Sequence, residues 1–222
     1  MRAALLAIWQ ADSGFPNGSF AFSYGVEAIA DLRGKLSPRS LAELIESVLR
    51  LRWATFDRVL MVRAFRAGDD LVHLAELDRL CEAMSLLEPH RLGSRRNGGS
   101  FVAAHARLGD PLALRLRDAI AAGECLGHLP VMQGTVWRAL QFDRQAAEIA
   151  SGYITASGMI AAAVRLGAIG ALQAQAALQS VLPVIEDLVA NGGDDAEPSS
   201  CVPFIDIAAA RHMRADLRLF AN

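Results

Sequence analysis

Lysine is almost absent from this chain of 222 residues, because Lys35 is the only one among its 22 basic side chains. A P-loop, the usual cradle for a nucleoside triphosphate, needs a lysine directly followed by Ser or Thr, with a glycine at its leading position. Lys35 is instead followed by Leu36, and Ile29 stands where the leading glycine would be. The sequence therefore excludes a nucleotide site of the P-loop type.

Cysteine is also scarce, and the three that are present, Cys81, Cys125 and Cys201, are far apart and form no CxxC arrangement. An odd number of scattered thiols is not a disulfide framework. The sequence therefore predicts a reducing, cytoplasmic setting. The short apolar run after Arg2 has no small-residue cleavage site behind it, which argues against a signal peptide.

Catalytic and metal-binding patterns are missing as well. No two histidines have the i, i+4 spacing of a helical metal site, and there is no G-x-S-x-G elbow for a nucleophilic serine. Cys125 and His128 are three residues apart without a visible orienting group, so we interpret them as ordinary helix-end residues. We predict no catalytic residue, no metal site and no cofactor. The histidines are His73, His90, His105, His128 and His212.

The charge balance points to protein partners. The 22 basic and 24 acidic side chains leave a net charge of −2, whereas nucleic-acid binding needs clustered positive charge. Apolar residues make up 53% of the chain without glycine, compared with about 45–50% in typical proteins when glycine is counted. We expect this surplus to be buried in an oligomer interface.

Helical periodicity dominates the chain, and almost no segment alternates like a strand. Ser37 and Pro38 form an N-cap and first-turn pair, and the apolar spacing after them predicts a long helix up to Gly68. Asp69 and Asp70 suit the start of the next helix. We predict an all-α, single-domain bundle of about nine or ten helices.

Two interruptions are expected within this single domain of residues 1–222. Pro89 and the glycines at positions 93, 98 and 99 predict a break between helices. Residues 191–200 are polar and glycine-containing, which is typical of a flexible linker. Residues 201–222 would then form a C-terminal docking segment, which can fold back on its own core or bind another chain.

The segment Leu166–Ile185 carries no charge and is long enough to cross a bilayer. Glutamines and Pro183 interrupt it, so we interpret it as a helix packed inside a protein and predict no membrane contact. Leu166–Val189 is expected to form core and dimer interface. Arg165 is the only charge in this neutral region. We expect it to be deeply buried with a hydrogen-bonded counterpart, either in a structural ion pair, which we favour, or at an interface.

The stretch Asp12–Glu27, read as DSGFPNGSFAFSYGVE, is the most distinctive in the chain. It places an N-cap candidate, a Pro-Asn-Gly turn and several aromatic residues between two helical segments. Aromatic side chains such as Phe15 and Phe20 carry large burial energies, so this turn is expected to be sunk into the core or pressed against a partner.

The residue order in this stretch resembles the N-terminal signature of the UreF family of urease accessory proteins. The matching residues are Asp12, Ser13, Pro16, Gly18, Phe20, Ser23, Gly25 and Glu27. Three later blocks are similar to the family in the same chain order: His128-Leu129-Pro130-Val131 with Gly134; Ala161–Leu166 with Ile169-Gly170; and the ending with Asp206-Ile207-Ala208, Arg211-His212 and Arg218-Leu219-Phe220.

The resemblance implies an all-helical homodimer that acts in the cytoplasm as a urease maturation factor, a chaperone component of nickel insertion. It implies that the protein bridges a nickel-carrying GTPase, UreG, and a second accessory protein, UreD or UreH. Through their complex it would act on apo-urease, and it would modulate GTP hydrolysis during metallocentre assembly. On this reading the protein is not an enzyme.

The chain departs from the family pattern at five positions: Phe22 where His is frequent, Ser19 for a second Gly, Gly99 for Arg, Ala171 for Gln and Met213 for Glu. Most of these changes remove polar groups that could lie on a contact surface. They leave open a degenerate paralogue that keeps the fold and has lost its partners.

We expect three segments to form partner surfaces. The first is the signature stretch, the second is Ser94-Arg95-Arg96-Asn97-Gly98, and the third is the tail. The two guanidinium groups of the second segment either pair with a partner's carboxylates or lie in a solvated turn. The predicted partner-binding residues are Asp12, Ser13, Pro16, Gly18, Phe20, Ser23, Gly25, Glu27, Ser94, Arg95, Arg96, Gly98, Asp206, Arg211, His212, Arg218, Leu219 and Phe220.

A rival function from another class stays open at this point. A helical enzyme could build a pocket from residues scattered along the chain, with Glu27, His128 or His212 as acid or base. A deep cleft lined by converging ionisable groups would favour that alternative.

Overall fold

The computed structural model describes residues 2–16, 23–193 and 196–212, and these residues form helices and no β-strand. The helical elements are α1 (Arg2–Ala11), α2 (Val26–Arg33), α3 (Pro38–Val48), a π-helical segment (Leu49–Asp57), α4 (Arg58–Ala67), α5 (Leu71–Met84), α6 (Glu88–Arg107), α7 (Pro111–Ala121), α8 (Leu129–Ala139), α9 (Arg144–Arg165), α10 (Ala171–Ala190) and α11 (Pro203–His212). Since α3, the π-helical segment and α4 run on without a gap, they form one long rod, and the described residues make ten helical rods. The prediction of an all-α bundle is confirmed.

Helix starts follow the capping residues that the sequence offers. Ser37 caps α3 through a reciprocal capping box with Ser40, and Pro38 occupies the first turn. Asp70 accepts hydrogen bonds from the first amides of α5, and Asp143 caps α9 in the same way. The rod ends at Gly68, as predicted.

The break predicted between residues 89 and 99 is wrong, because α6 runs through all of them from Glu88 to Arg107. Pro89 lies in the first turn, where a missing N–H costs nothing. Gly98 is buried where α6 passes over the loop that leads into α8. This glycine is therefore required by close packing between segments.

The core consists mainly of two large apolar clusters that share the same two long elements, with a small third cluster of Ala75, Ala119 and Cys125. One cluster surrounds Trp53 and includes α2, α3, α10 and α11, and the other surrounds Trp137 and includes α4 to α8. The N-terminal half of α9, with Ala150 and Ile154, belongs to the second cluster, and its C-terminal half, with Met159, belongs to the first. The rod of α3 and α4 likewise contributes to both clusters.

One helix of the described residues, α9, is long and apolar enough to cross a membrane. In its most apolar window, 61% of the residues are buried inside the bundle. A buried core helix is equally long and apolar, so the length and composition of α9 are only weak evidence for a membrane span.

Arg165 is exposed at the last residue of α9, so its predicted burial within the bundle is wrong. Its alternative placement at an interface stays a prediction. The neutral sequence around it spans the end of α9 and a turn in which Gly167 has φ 63°. A helix end with a left-handed glycine lies at the surface, and a run of neutral residues does not reveal such an end.

Candidate interaction site

The first half of the signature folds back onto α1 and α6. Asp12 Oδ1 accepts a 2.6 Å hydrogen bond from the Gly14 amide. The tight turn that results sends the Phe15 ring inward, where its centroid lies 5.3 Å from that of Trp9 and 5.1 Å from that of His105. Asp12, Ser13 and Pro16 remain exposed. This half therefore combines a buried anchor with a small exposed surface.

The second half of the signature leads into α2 and faces inward. The Ser23 carbonyl accepts a hydrogen bond from Val26, and Tyr24 and Gly25 have φ values of 52° and 82°. A Cβ on Gly25 would lie only 2.6 Å from Ile205 Cγ2, so α11 packs directly against this turn. Ser23 and Glu27 are buried. Two further predicted site residues, Gly18 and Phe20, lie outside the described residues.

The arginine block, residues 94–98, lies on α6, where some of its side chains face the bundle and others face solvent. Ser94 Oγ accepts a 3.2 Å hydrogen bond from the Leu129 amide, and Gly98 packs on the backbone of the same loop. Arg95 is partly buried and donates to Glu82 at 3.2 Å. Arg96 is exposed. Of this block, Arg96 is therefore the side chain most available to a partner.

The loop before α8 is held by a fully buried carboxylate, Asp78. It accepts hydrogen bonds from three consecutive backbone amides, those of Leu126, Gly127 and His128, at 2.5, 2.6 and 2.8 Å. This is the pattern of a structural anchor for a helix start. It fixes the His-x-Pro-Val block against α5 and α6.

His128 is buried and in contact with Glu82, at 2.8 Å between Nε2 and Oε2. Burial lowers the pKa of His128 below its usual value, although Asp78 and Glu82 act in the opposite direction. The neutral ring therefore donates from Nε2 to Glu82. A histidine that is closed to solvent in this way supports the packing role over the acid–base role.

Burial also raises the pKa of the Cys125 thiol, with the Asp78 and Glu124 charges adding to the effect. A nucleophilic cysteine needs the opposite shift. The interpretation of Cys125 and His128 as structural residues is thus supported by their electrostatics. The described residues contain no group of three or more metal-ligating side chains that could hold an ion.

A small cavity of about 100 Å³ lies where the signature, α6, α8 and α11 meet. It is enough for a few water molecules, since water occupies about 30 Å³ each in the liquid, and is well below the roughly 300–1,000 Å³ of ligand pockets. Its polar lining includes Tyr24, His90, Asn97, Gln133 and Asp206. The structure therefore brings together four of the sequence blocks that carry the resemblance or the arginine pair.

Burial acts against the charged forms of three ionisable groups in this cavity. Burial, reinforced by the Arg52 charge, lowers the pKa of His90 to about 4, and burial raises the pKa of Tyr24 to about 12. Burial also raises the pKa of Asp206. His90 Nδ1 lies 3.8 Å from Asp206 Oδ1, which is too far for a hydrogen bond, and at neutral pH the ring carries no charge. We therefore treat this contact as polar packing and not as an ion pair.

A larger depression of about 1,020 Å³ lies between α1, α9 and α10. Its lining is mostly apolar or small, and Asp12 and Arg165 are its only acidic and basic members. The larger depression therefore lacks the converging ionisable groups that an acid–base enzyme needs. The small cavity does hold such groups, namely Tyr24, Arg52, Asp57, His90 and Asp206, but its volume is well below that of a substrate pocket.

The predicted site residues near the C-terminus lie partly inside and partly outside the described residues. Asp206 lies on α11 beside the cavity. Arg211 and His212 belong to the backbone of α11, and their side chains lie outside the described part. Arg218, Leu219 and Phe220 lie outside the described residues altogether.

Sequence reasoning missed Asp78 and Glu82, which organise the loop before α8. These two carboxylates are four residues apart on α5, so they lie on one face of that helix. That spacing was a readable signal, but their partners are some fifty residues further along the chain, and the sequence does not show which loop they meet.

The fold and the site together define an all-helical bundle in which the predicted site residues are packing and surface positions, several of them around a small cavity. A family model for UreF matches residues 36–182, and the relatives below extend over the signature as well. This chain belongs to the UreF family of urease accessory proteins, and with that family goes a role in urease maturation.

Three relatives illustrate the match. The urease accessory protein UreF of Trichodesmium erythraeum (strain IMS101) is 30% identical over 225 residues, covering 98% of this chain and 96% of that protein. UreF 1 of Brucella melitensis biotype 1 is 30% identical over 218 residues, with 95% and 89% covered. UreF of Yersinia enterocolitica serotype O:8 is 30% identical over 216 residues, with 95% and 94% covered.

Proposed function

We propose that this protein is a urease maturation factor without catalytic activity of its own, and that it bridges a UreG-type GTPase and a UreD/UreH-type accessory protein. Through that complex it acts on apo-urease during nickel insertion and modulates GTP hydrolysis by the GTPase. The observation that carries the proposal is the meeting of the signature, α6 and α11 around one cavity, in a chain that belongs to the UreF family.

The chemistry of the site supports a binding role. Glu27 and His128, two acid–base candidates of the enzyme alternative, are buried. Other predicted site residues, such as Asp12, Ser13 and Arg96, are exposed at the surface. Such an arrangement suits the recognition of a protein surface, in which a polar rim surrounds a few anchors.

We expect the gene to restore urease activity in a strain that lacks its own UreF component and carries the accessory and structural genes from the same source as this protein. Urease activity in extracts of nickel-grown cells is the measurement, with empty vector as control. If the protein accumulates in soluble form and activity stays at the level of the empty vector, the maturation role is contradicted and the degenerate paralogue is favoured.

Replacing Arg95 and Arg96 together with alanine is expected to weaken co-purification with a UreG-type or UreD/UreH-type partner by about tenfold, since arginines are frequent interface hot spots. Folding should be retained, because Arg91 and His128 still contact Glu82.

The matched control is the double variant Arg115→Ala/Arg117→Ala, which removes two exposed arginines from α7. Circular dichroism checks that both double variants are folded. Equal capture of the two variants by both partners would remove Arg95 and Arg96 from the interaction surface.

We further propose that the protein is a homodimer and that the outer face of α10 contributes to its interface. Leu172 is 85% exposed and Leu182 is also exposed, in a helix that is neutral up to Glu186. Exposed leucines on a neutral helix favour contact with a second apolar surface. Light scattering measures the mass, and a single-chain mass at micromolar concentration would contradict the dimer.

A cytoplasmic location is proposed from the same family role. Fractionation of the producing cells tests it, and recovery of the protein from the membrane or periplasmic fraction would contradict it.

A further inference from the structure

We call residues 192–201, between α10 and α11, the strap; of its described residues, 192–193 and 196–201, several contact the rod. The Ser199 amide donates to the Thr55 carbonyl at 2.8 Å, and the Cys201 amide donates to the Leu51 carbonyl at 3.2 Å. In return, Thr55 Oγ1 donates to the Ser199 carbonyl at 2.7 Å. All of these contacts fall within the π-helical segment, a rare geometry that is often found at functional sites.

Two arginines of α4 extend this attachment toward α10. Arg63 Nη2 donates to the Ala196 carbonyl at 3.0 Å and lies 3.5 Å from Glu197. Arg58 Nη2 donates to the Gly193 carbonyl at 3.2 Å. The strap is therefore held by both of its ends. Its flexibility, predicted from composition, stays a prediction for the segment as a whole.

The helix that follows the strap depends on docking. An isolated helix of ten residues is marginal in water, so α11 needs its contacts with the bundle. Ile205 and Ala208 are buried, Ile205 against Gly25. The Arg33 guanidinium lies 4.8 Å from the centre of the Phe204 ring. These contacts are made only if the strap delivers α11 to the signature turn in the correct register.

We propose that Thr55 and Arg63 are positioning residues for the C-terminal docking segment. By fixing the strap on the rod, they set the place at which α11 packs beside the signature turn. This inference rests on the proposed function in one respect, namely that the C-terminal segment docks on a partner protein. The positioning itself is a property of this chain alone.

Hydrogen exchange of the isolated protein, followed by mass spectrometry of peptides from 203–212, tests the positioning. The double variant Thr55→Val/Arg63→Met removes the hydroxyl and the guanidinium while keeping similar volume. We expect the α11 amides to exchange about tenfold faster, because two hydrogen-bonding side chains are lost. Amides of α8 should keep their protection.

The matched control is Arg50→Met, which removes an arginine from the same rod. Arg50 contacts Glu46 and Asp187, which lie outside the strap, so exchange of α11 should be unchanged. The conservative double variant Thr55→Ser/Arg63→Lys retains a hydroxyl and a cation and should restore most of the protection, which a general loss of packing would not predict. Should the first double variant fail to fold, Thr55→Val alone is measured, with an expected acceleration of about threefold.

Unchanged exchange of α11 in the folded variant would overturn the positioning. Partner capture by the same variant is a separate measurement. Faster exchange together with weaker capture supports both proposals. Faster exchange with undiminished capture of both partner types supports the positioning and contradicts the docking role of the C-terminal segment.

Discussion

Replacing Gly98 with alanine is expected to destabilise the protein by about 3 kcal/mol, the upper end of what overpacking usually costs. The added methyl group would overlap the Gly127 carbonyl oxygen and lie 2.8 Å from the Leu129 amide nitrogen. These obstacles are backbone atoms of a loop that Asp78 holds with three hydrogen bonds, so they cannot move aside cheaply. Urea denaturation followed by circular dichroism gives the free energy of unfolding.

The neighbouring glycine provides the control. A methyl group on Gly99 would meet nothing within 4 Å, and this residue lies inside the same helix. Gly99→Ala is therefore expected to raise stability by about 0.5–1 kcal/mol, the difference in helix propensity between the two residues. If both variants lose stability equally, the close contact at Gly98 is not the reason for its glycine. If Gly98→Ala stays stable and loses only partner capture, Gly98 acts at an interface.

Arg58→Met is expected to destabilise the protein by about 3 kcal/mol, since breaking a buried ion pair typically costs about 3–5 kcal/mol. The Arg58 and Glu148 side chains are 2% and 3% exposed, with 3.1 Å between Nη1 and Oε2. The variant removes this contact and leaves Arg144, at 3.4 Å, near the buried carboxylate. Thermal and urea unfolding measure the effect.

The double variant Arg58→Met/Glu148→Leu should recover most of that loss, because replacing both members of a buried pair with apolar residues is often neutral. Arg50→Met, which breaks a half-exposed contact with Glu46, should change stability by less than about 0.5 kcal/mol. A loss for Arg58→Met no larger than that of the exposed control would contradict the buried-pair argument.

The features that sequence predicted well are local. Ser37, Asp70 and Asp143 cap helices through atoms within three residues of themselves, so the information is present in a short window. The all-α class follows from the same short-range periodicity. Family resemblance supplied the functional role, because no pattern of ionisable residues specifies an interaction surface.

The features that sequence missed depend on contacts between distant residues. Pro89 and Gly98 wrongly predicted a break between helices. Proline and glycine are typical of loops, but proline also occurs in the first turn of a helix and glycine where two segments pack closely. The convergence of Tyr24, His90 and Asp206 could not be inferred, since the chain between them determines only after folding which helices become neighbours. The π-helical segment has no local signature, and its neighbours from the strap are about 145 residues away along the chain, a separation that no periodicity reports.

The long rod and α9 each contribute residues to both apolar clusters. Neither cluster is fully packed without these two elements. If one cluster unfolded alone, it would expose one apolar side of the rod and of α9 to solvent. The other cluster would then lose packing contacts as well. The bundle is therefore expected to unfold as one cooperative unit, so that a destabilising change beside α11 also lowers the stability of the cluster around Trp137.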